Sequence, residues 1–459
     1  MISKPIQQMK TAIIKKELSS RELVKEYLAK IESTKHLNAI IEINPDALDI
    51  AERLDSSGEK DGILHGIPVL LKDNIGTCDK MHTSAGSEAL AGNIANIDAP
   101  IARLLREAGA VILGKTNMTE FANYMAAKMP NGYSSRGGQT LNFFDPAADP
   151  SGSSTGSAVA VTADLCAAAI GTETCGSIIS PAQHAGIIGI KPTLGLINNQ
   201  GIIPISFTLD TAGPMCRYAE DAGIMLEVLS GQKFDIDYSK STRSLSVKVR
   251  QTRDLRIGVC RVHLPEEYDE EWIGENERLI EVFRLLNIQC IELPEHKTET
   301  GFLSAIMQYE FKHALNCYLA SILNPAIPQS LRQIIAYNEN HAAKALIYGQ
   351  DILIAAEEKA SGAMTEPEYT EAIAARENAI RSLDALFTEN KIDIIFMTEG
   401  DFRIAAATGF PSMTLPIGKT SKGLPIGSFF IAQRYCEDTL LHLAYALEEA
   451  FQFQNHYNF

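Results

Sequence analysis

TGSAVAVTADLCAAAIGTETCGSIISPAQHAGIIGI, residues 155–190, decides the fold. TGSAVAVTADL has the small and aliphatic composition of a buried helix. CAAAIG then reads as a strand, TETCG as a tight turn, SIISPAQHA as a second helix and GIIGI as a second strand. Strand and helix alternating at this pitch predict an α/β fold with a largely parallel sheet. The turn also raises a chemical question. Ser177 follows Gly176 among small residues, as a nucleophile would, yet the nearest histidine, His184, lies beyond Pro181.

The pattern continues outward. Ser19-Ser20-Arg21-Glu22 is a capping box, followed by Leu23, Val24, Tyr27, Leu28 and Ile31 on one helical face. Ile63–Leu71 is an apolar run that reads as a buried strand ending at Lys72. APIARLLREAGA is helical, and AVIL after it is a strand. Residues 267–390 are mostly helical by period. Asp393–Met397, Ser412–Ile417 and Ile426–Ile431 read as strands, and Asp438–Phe451 as a closing helix. The polar stretches 53–62 and 232–246 are short enough for surface loops, and no repeat or low-complexity linker divides the chain. One large domain over residues 1–459 is expected.

With 459 residues and 45% hydrophobic content, the chain can bury a large core. Its formal net charge of -16 repels phosphate backbones, which disfavours nucleic acid as a partner. The eight cysteines are scattered, without CxxC pairs or disulfide-framework spacing, and read as free thiols of a reducing compartment. The opening residues show neither an apolar block nor a small-residue cleavage site, and no apolar run reaches the roughly 18 residues that span a bilayer. The chain as given is expected in the cytoplasm, without a membrane partner. No HExxH, clustered Cys/His set or EF-hand loop is present, so neither metal nor cofactor is expected.

Two motifs mislead. Gly109–Thr116 matches the phosphate-loop expression G-x4-G-K-[ST]. That loop needs a strand before its first glycine and open backbone between the two. Here a helix precedes Gly109, which suits a helix C-terminus, and the intervening residues form a strand. Gly152–Gly156 matches the nucleophile elbow G-x-S-x-G, which needs a strand just upstream. NFFDPAADPS, with two prolines, is a loop.

A base other than histidine could activate Ser177. Lysine serves when burial disfavours its charged form. Lys72 ends an apolar run, although on its local sequence alone a solvated lysine, or one paired with Asp73, fits better. HGIPVLLKDNI (65–75), SGSSTGSAVAV (151–161), GTETCGSIISPA (171–182) and GIIGIKPTLGLI (186–197) together resemble the amidase signature family, in order and spacing. Its signature core would cover about 65–220. The resemblance implies a large, twisted, mixed but mostly parallel sheet covered by helices on both faces. It also implies a Ser–cis-Ser–Lys triad: Lys72 as base, Ser153 as bridging serine after a cis Gly152–Ser153 peptide, and Ser177 as nucleophile, 24 residues after Ser153. The backbone N–H groups of Thr174, Cys175, Gly176 and Ser177 would form the oxyanion hole. Ser154 is expected to support the site by hydrogen bonding, and Ser154 or Thr155 to cap the helix. The thiol of Cys175 is not expected to act, since its backbone N–H is the useful part.

Glu173 stands where the family usually has Asp, Cys175 where it has glycine, and Ile179 where it has arginine. GTET, TSAGS (83–87), RGGQTLN (136–142) and GIIPISFTLDTAGPM (201–215) resemble the peptide amidase branch, which cleaves C-terminal carboxamides of peptides and amino-acid amides and releases ammonia. The loop after Met397 is shorter than the family's, which implies an altered substrate mouth. A small-molecule or peptide amide substrate is therefore expected, and a homodimer is compatible with the reading. The rivals are the glutamine-hydrolysing A subunit of an aminoacyl-tRNA amidotransferase, disfavoured by the acidic surface, and a catalytically silent binding protein, disfavoured by the complete triad.

Overall fold

A computed structural model of the protein describes residues 2–57, 62–234, 255–261, 270–294, 299–398 and 401–451. Most of the expected 232–246 loop, and residues 58–61 of the other, lie outside these ranges.

The described residues form thirteen strands: β1 (Ile40–Ile43), β2 (Pro68–Lys72), β3 (Val111–Thr116), β4 (Tyr133–Ser134), β5 (Gly138–Gln139), β6 (Ala168–Glu173), β7 (Ile188–Lys191), β8 (Thr211–Cys216), β9 (Arg256–Cys260), β10 (Gln289–Leu293), β11 (Ile394–Met397), β12 (Ser412–Lys419) and β13 (Pro425–Ala432). β4 and β5 form a small ribbon. The other eleven make one sheet, in the order β1-β3-β2-β6-β8-β7-β12-β13-β11-β9-β10. Every residue of β2, β3, β6, β7 and β8 is buried, so both faces of the sheet's centre are covered. Helices Thr155–Thr162 and Ile179–Ala185 pack together and against the sheet. Helices Pro100–Glu107, Ala219–Ser230 and Glu437–Phe451 form another packed set on it.

The mixed α/β architecture matches expectation, but parallel pairing is the smaller share. Four neighbouring pairs are parallel, β3 with β2, β2 with β6, β11 with β9 and β9 with β10. Six are antiparallel. β12 and β13 are joined by a tight turn around Gly423, which forces an antiparallel pair. β9 precedes the span read as helical, and β10 (Gln289–Leu293) interrupts it, contrary to that reading. Around them that reading holds, with helices at Glu270–Leu285, Phe302–Ala320, Leu331–Asn340, Ala342–Ala345, Asp351–Lys359 and Pro367–Asn390. The capping box at Ser19 forms as expected.

The helix Thr155–Thr162 is buried at all eight positions. A helix apolar on every side belongs in a core. Gly156 lets it approach the end of β3: a Cβ there would lie 2.3 Å from the Asn117 carbonyl oxygen and 2.4 Å from that of Ala39. We expect Gly156→Ala to lower unfolding free energy by about 1–3 kcal/mol through overpacking, measured by urea denaturation.

Candidate active site

Lys72 is the last residue of β2 and is fully buried. Its Nζ lies 2.8 Å from Ser153 Oγ, 2.9 Å from Ser154 Oγ and 3.2 Å from the carbonyl oxygen of Thr172. Among the described residues it forms no ion pair. The neighbouring Asp73 points elsewhere, accepting from Arg136 Nη1, Ser84 Oγ and the Gly86 N–H. Burial pulls the Lys72 pKa down to about 7, while the carboxylates of Asp210 and Glu173 pull weakly the other way.

The peptide bond between Gly152 and Ser153 is cis. Ser154 heads the helix but does not cap it with its side chain, contrary to the sequence reading. Its hydroxyl turns inward instead. It donates to the Thr172 carbonyl at 3.0 Å and accepts from the Thr172 N–H at 3.2 Å. Thr155 does not cap either; its Oγ1 donates back to the Ser151 carbonyl.

Ser177 is buried and lies in the turn between β6 and the helix Ile179–Ala185. β6 runs two residues further than the sequence suggests, through Glu173, and the helix begins two residues later. The turn is held from several sides. Glu173 Oε2 accepts the N–H groups of Ile178 and Ile179 at 2.8 and 3.0 Å. Thr174 Oγ1 donates to Asp210 Oδ1 at 2.6 Å, and the Ser154 N–H donates to the Ser177 carbonyl at 3.2 Å. The N–H groups of Thr174, Cys175, Gly176 and Ser177 donate to no hydrogen bond among the described residues. Gly176 has φ +85°, and a Cβ on it would come within 2.3 Å of the Phe402 ring, so both conformation and space call for glycine.

Burial pushes the Cys175 thiol up to about 12, which disfavours a thiolate nucleophile. His184 is exposed and pairs with the Ser180 carbonyl. Lys115 of the phosphate-loop lookalike is buried in β3 and donates to the Ile75 carbonyl and Thr83 Oγ1. Gly109, with φ +87°, ends the preceding helix as expected.

Beside the site opens a cavity of about 600 Å³, with Asn74, Thr172, Thr174 and Asp210 in its wall. Sequence reasoning missed the parts played by Glu173 and Asp210. An acidic residue just before a predicted helix was the available signal for Glu173, because a carboxylate suits unsatisfied N–H groups. Among the described residues no group of His, Cys, Asp and Glu is arranged to hold a metal, and no helix is long and apolar enough to cross a membrane.

Sequence and structural relatives identify the chain as a hydrolase acting on amide bonds. A family model for amidases matches residues 22–399, and the chain belongs to that family. A probable amidase of Arabidopsis thaliana is 37% identical over 465 residues, spanning 97% of this chain and 89% of that protein. The crystal structure of the native peptide amidase of Stenotrophomonas maltophilia superposes with a TM-score of 0.88 at 35% identity, covering 98% of this chain and 97% of that one. The A subunit of the glutamyl-tRNA(Gln) amidotransferase of Methylobacillus flagellatus is 39% identical over 306 residues, 64% of this chain and 60% of that protein.

Proposed function

We propose that the enzyme hydrolyses carboxamides of peptides or amino acids through an acyl-enzyme on Ser177, with neutral Lys72 as base and Ser153 as relay, releasing ammonia. The observation that carries this is the fully buried Lys72 amine, 2.8 Å from the Ser153 hydroxyl. A neutral amine has two N–H bonds and one lone pair. Donating to Ser154 Oγ and the Thr172 carbonyl leaves the lone pair for the Ser153 hydroxyl proton.

Ser177 Oγ attacks the amide carbonyl carbon, its proton passes to Ser153, and the Ser153 proton passes to Lys72. The oxygen of the tetrahedral adduct meets the undonated N–H groups of residues 174–177. As the adduct collapses, the proton returns along the relay to the nitrogen, and ammonia leaves. Water then attacks the ester by the same route, freeing the acid and restoring the hydroxyl. Cys175 serves through its backbone, and the Glu173 carboxylate fixes the turn.

The substrate class rests on the likeness to the Stenotrophomonas maltophilia peptide amidase, which extends over nearly the whole chain. A second reading, glutamine hydrolysis within an amidotransferase, draws on the relatives that are A subunits of such enzymes. The higher-identity match of the two covers only part of the chain, and the one that covers nearly all of it is 28% identical. Ammonia release from amino-acid amides, dipeptide amides and glutamine separates the two readings. We expect turnover of the first two well above glutamine. Turnover of glutamine alone would favour the amidotransferase.

A further inference from the structure

Glu310 carries a fully buried carboxyl group in the middle of the helix Phe302–Ala320 and takes no part in the proton relay. Both of its oxygens are occupied. Oε2 accepts from Ser206 Oγ and from the Thr208 N–H at 3.1 Å. Oε1 accepts from Thr208 Oγ1 and from the hydroxyl of Tyr369, on the helix Pro367–Asn390, at 2.8 Å. Three of these four bonds come from one short loop, 102 and 104 residues away along the chain. Removing such an acceptor strands several buried donors at once, which costs more than losing an exposed bond.

That loop serves the site in two ways. Residues 199–207 form a wall of the 600 Å³ cavity. The loop also leads into Asp210, whose Oδ2 accepts the N–H groups of Ile205 and Ser206 at 2.8 and 3.0 Å and whose Oδ1 accepts from Thr174 Oγ1. Ser206 joins the two carboxyl groups. Its hydroxyl donates to Glu310 and accepts the Leu209 N–H at 3.1 Å, while its own N–H donates to Asp210. A continuous path of hydrogen bonds therefore runs from Glu310 through Ser206 and Asp210 to Thr174, in the turn before Ser177. The helix that carries Glu310 lines the cavity too. His313, Ala314 and Cys317 follow it by three, four and seven positions, on one helical face. One buried carboxyl group thus ties two walls of the cavity together.

We infer that Glu310 is a positioning residue for amide hydrolysis: by pinning Ser206 and Thr208 it fixes Asp210, and through Asp210 the oxyanion turn at Thr174. The inference rests on the amide-hydrolase reading above and adds to it a group outside the triad. Stabilising an oxyanion depends on donors held in place before the reaction, so a loosened turn costs kcat more than it raises KM.

The test is a double-mutant cycle on kcat for ammonia release from N-acetyl-leucinamide. kcat is taken per active site titrated with a fluorophosphonate, so that loss of folded protein does not register, and at pH 9, above the Lys72 inflection. Glu310→Ala should lower kcat by about 10- to 100-fold, with a smaller change in KM. Asp210→Asn should lower it too, and the double variant should fall no more than about threefold below the slower single variant, because both changes cut one path. Glu310→Gln should recover most of the loss. Its amide oxygen can accept from the Ser206 hydroxyl and the Thr208 N–H, while its nitrogen donates to the hydroxyls of Thr208 and Tyr369. If Glu310→Ala does not fold, Ser206→Ala breaks the same path with a smaller change, and the same non-additivity with Asp210→Asn is expected. Losses that multiply in the double variant, or a kcat for Glu310→Ala within about twofold of the wild type, overturn the inference and leave the amide-hydrolase reading standing. Absence of ammonia from every amide offered to the wild type overturns both.

Discussion

Lys72→Met should lose amide turnover by about 10³-fold or more while remaining folded, and it should melt at a higher temperature than the wild type at pH 7. The two effects share one cause. The Lys72 amine sits fully buried, and burial holds its pKa at about 7, well below the ordinary lysine value. An unfolded chain therefore binds a proton there more tightly than the folded one. From the sign of that difference, stability contributed by this group rises as pH climbs from about 7 toward the ordinary lysine pKa, and the penalty is full below 7. Methionine keeps the apolar stem and removes the proton, so the penalty disappears, and a gain of at least about 2 °C in Tm is expected at neutral pH. Ser177→Ala should lose turnover at least as completely, with Tm little changed. Loss of activity accompanied by loss of fold in both variants would argue that these residues serve structure alone.

The pH profile is the second large effect. Only the uncharged amine can take a proton from Ser153. For wild-type enzyme, kcat/KM should rise with pH through an apparent pKa near 7 and level off above it, with a slope of one proton. Asp210, raised to about 6 by burial, lines the cavity and is the second group that titrates nearby. Asp210→Asn should weaken the hold on Thr174 and lower activity, and should move the inflection below that of the wild type, because it removes a carboxylate that holds the Lys72 pKa up. A profile flat from pH 5 to 9 would exclude Lys72 as the base.

Part of this site was legible in local signals, and the choice of Lys72 and Ser153 came from the resemblance to the amidase signature family. The apolar run into Lys72 announced a buried strand end, and the small residues around Ser153 and Ser177 announced close packing and a tight turn. The sheet's pairing was less legible. A strand buried on both faces shows the same apolar run whichever way its neighbour runs, so the antiparallel centre left no mark on the strands themselves. β10 was hidden for a related reason, being five residues set among long helices. The inward turn of the Ser154 hydroxyl could not be read either. Its partners, Lys72 and Thr172, lie 82 and 18 residues away, whereas its position before a helix suggested a cap. Asp210 was hidden in the same way, since its role depends on contacts across the chain rather than along it.

The most direct test of the proton relay follows covalent labelling of Ser177 by a fluorophosphonate, read by peptide mass spectrometry, across pH 5–9 in the wild type and in Lys72→Met. The account predicts that Ser177 alone among the serines is labelled rapidly, that the rate climbs through pH 7, and that the variant is slowed by about 10³-fold with no such climb. Equal labelling rates in the two proteins, or a label on another serine, would contradict it.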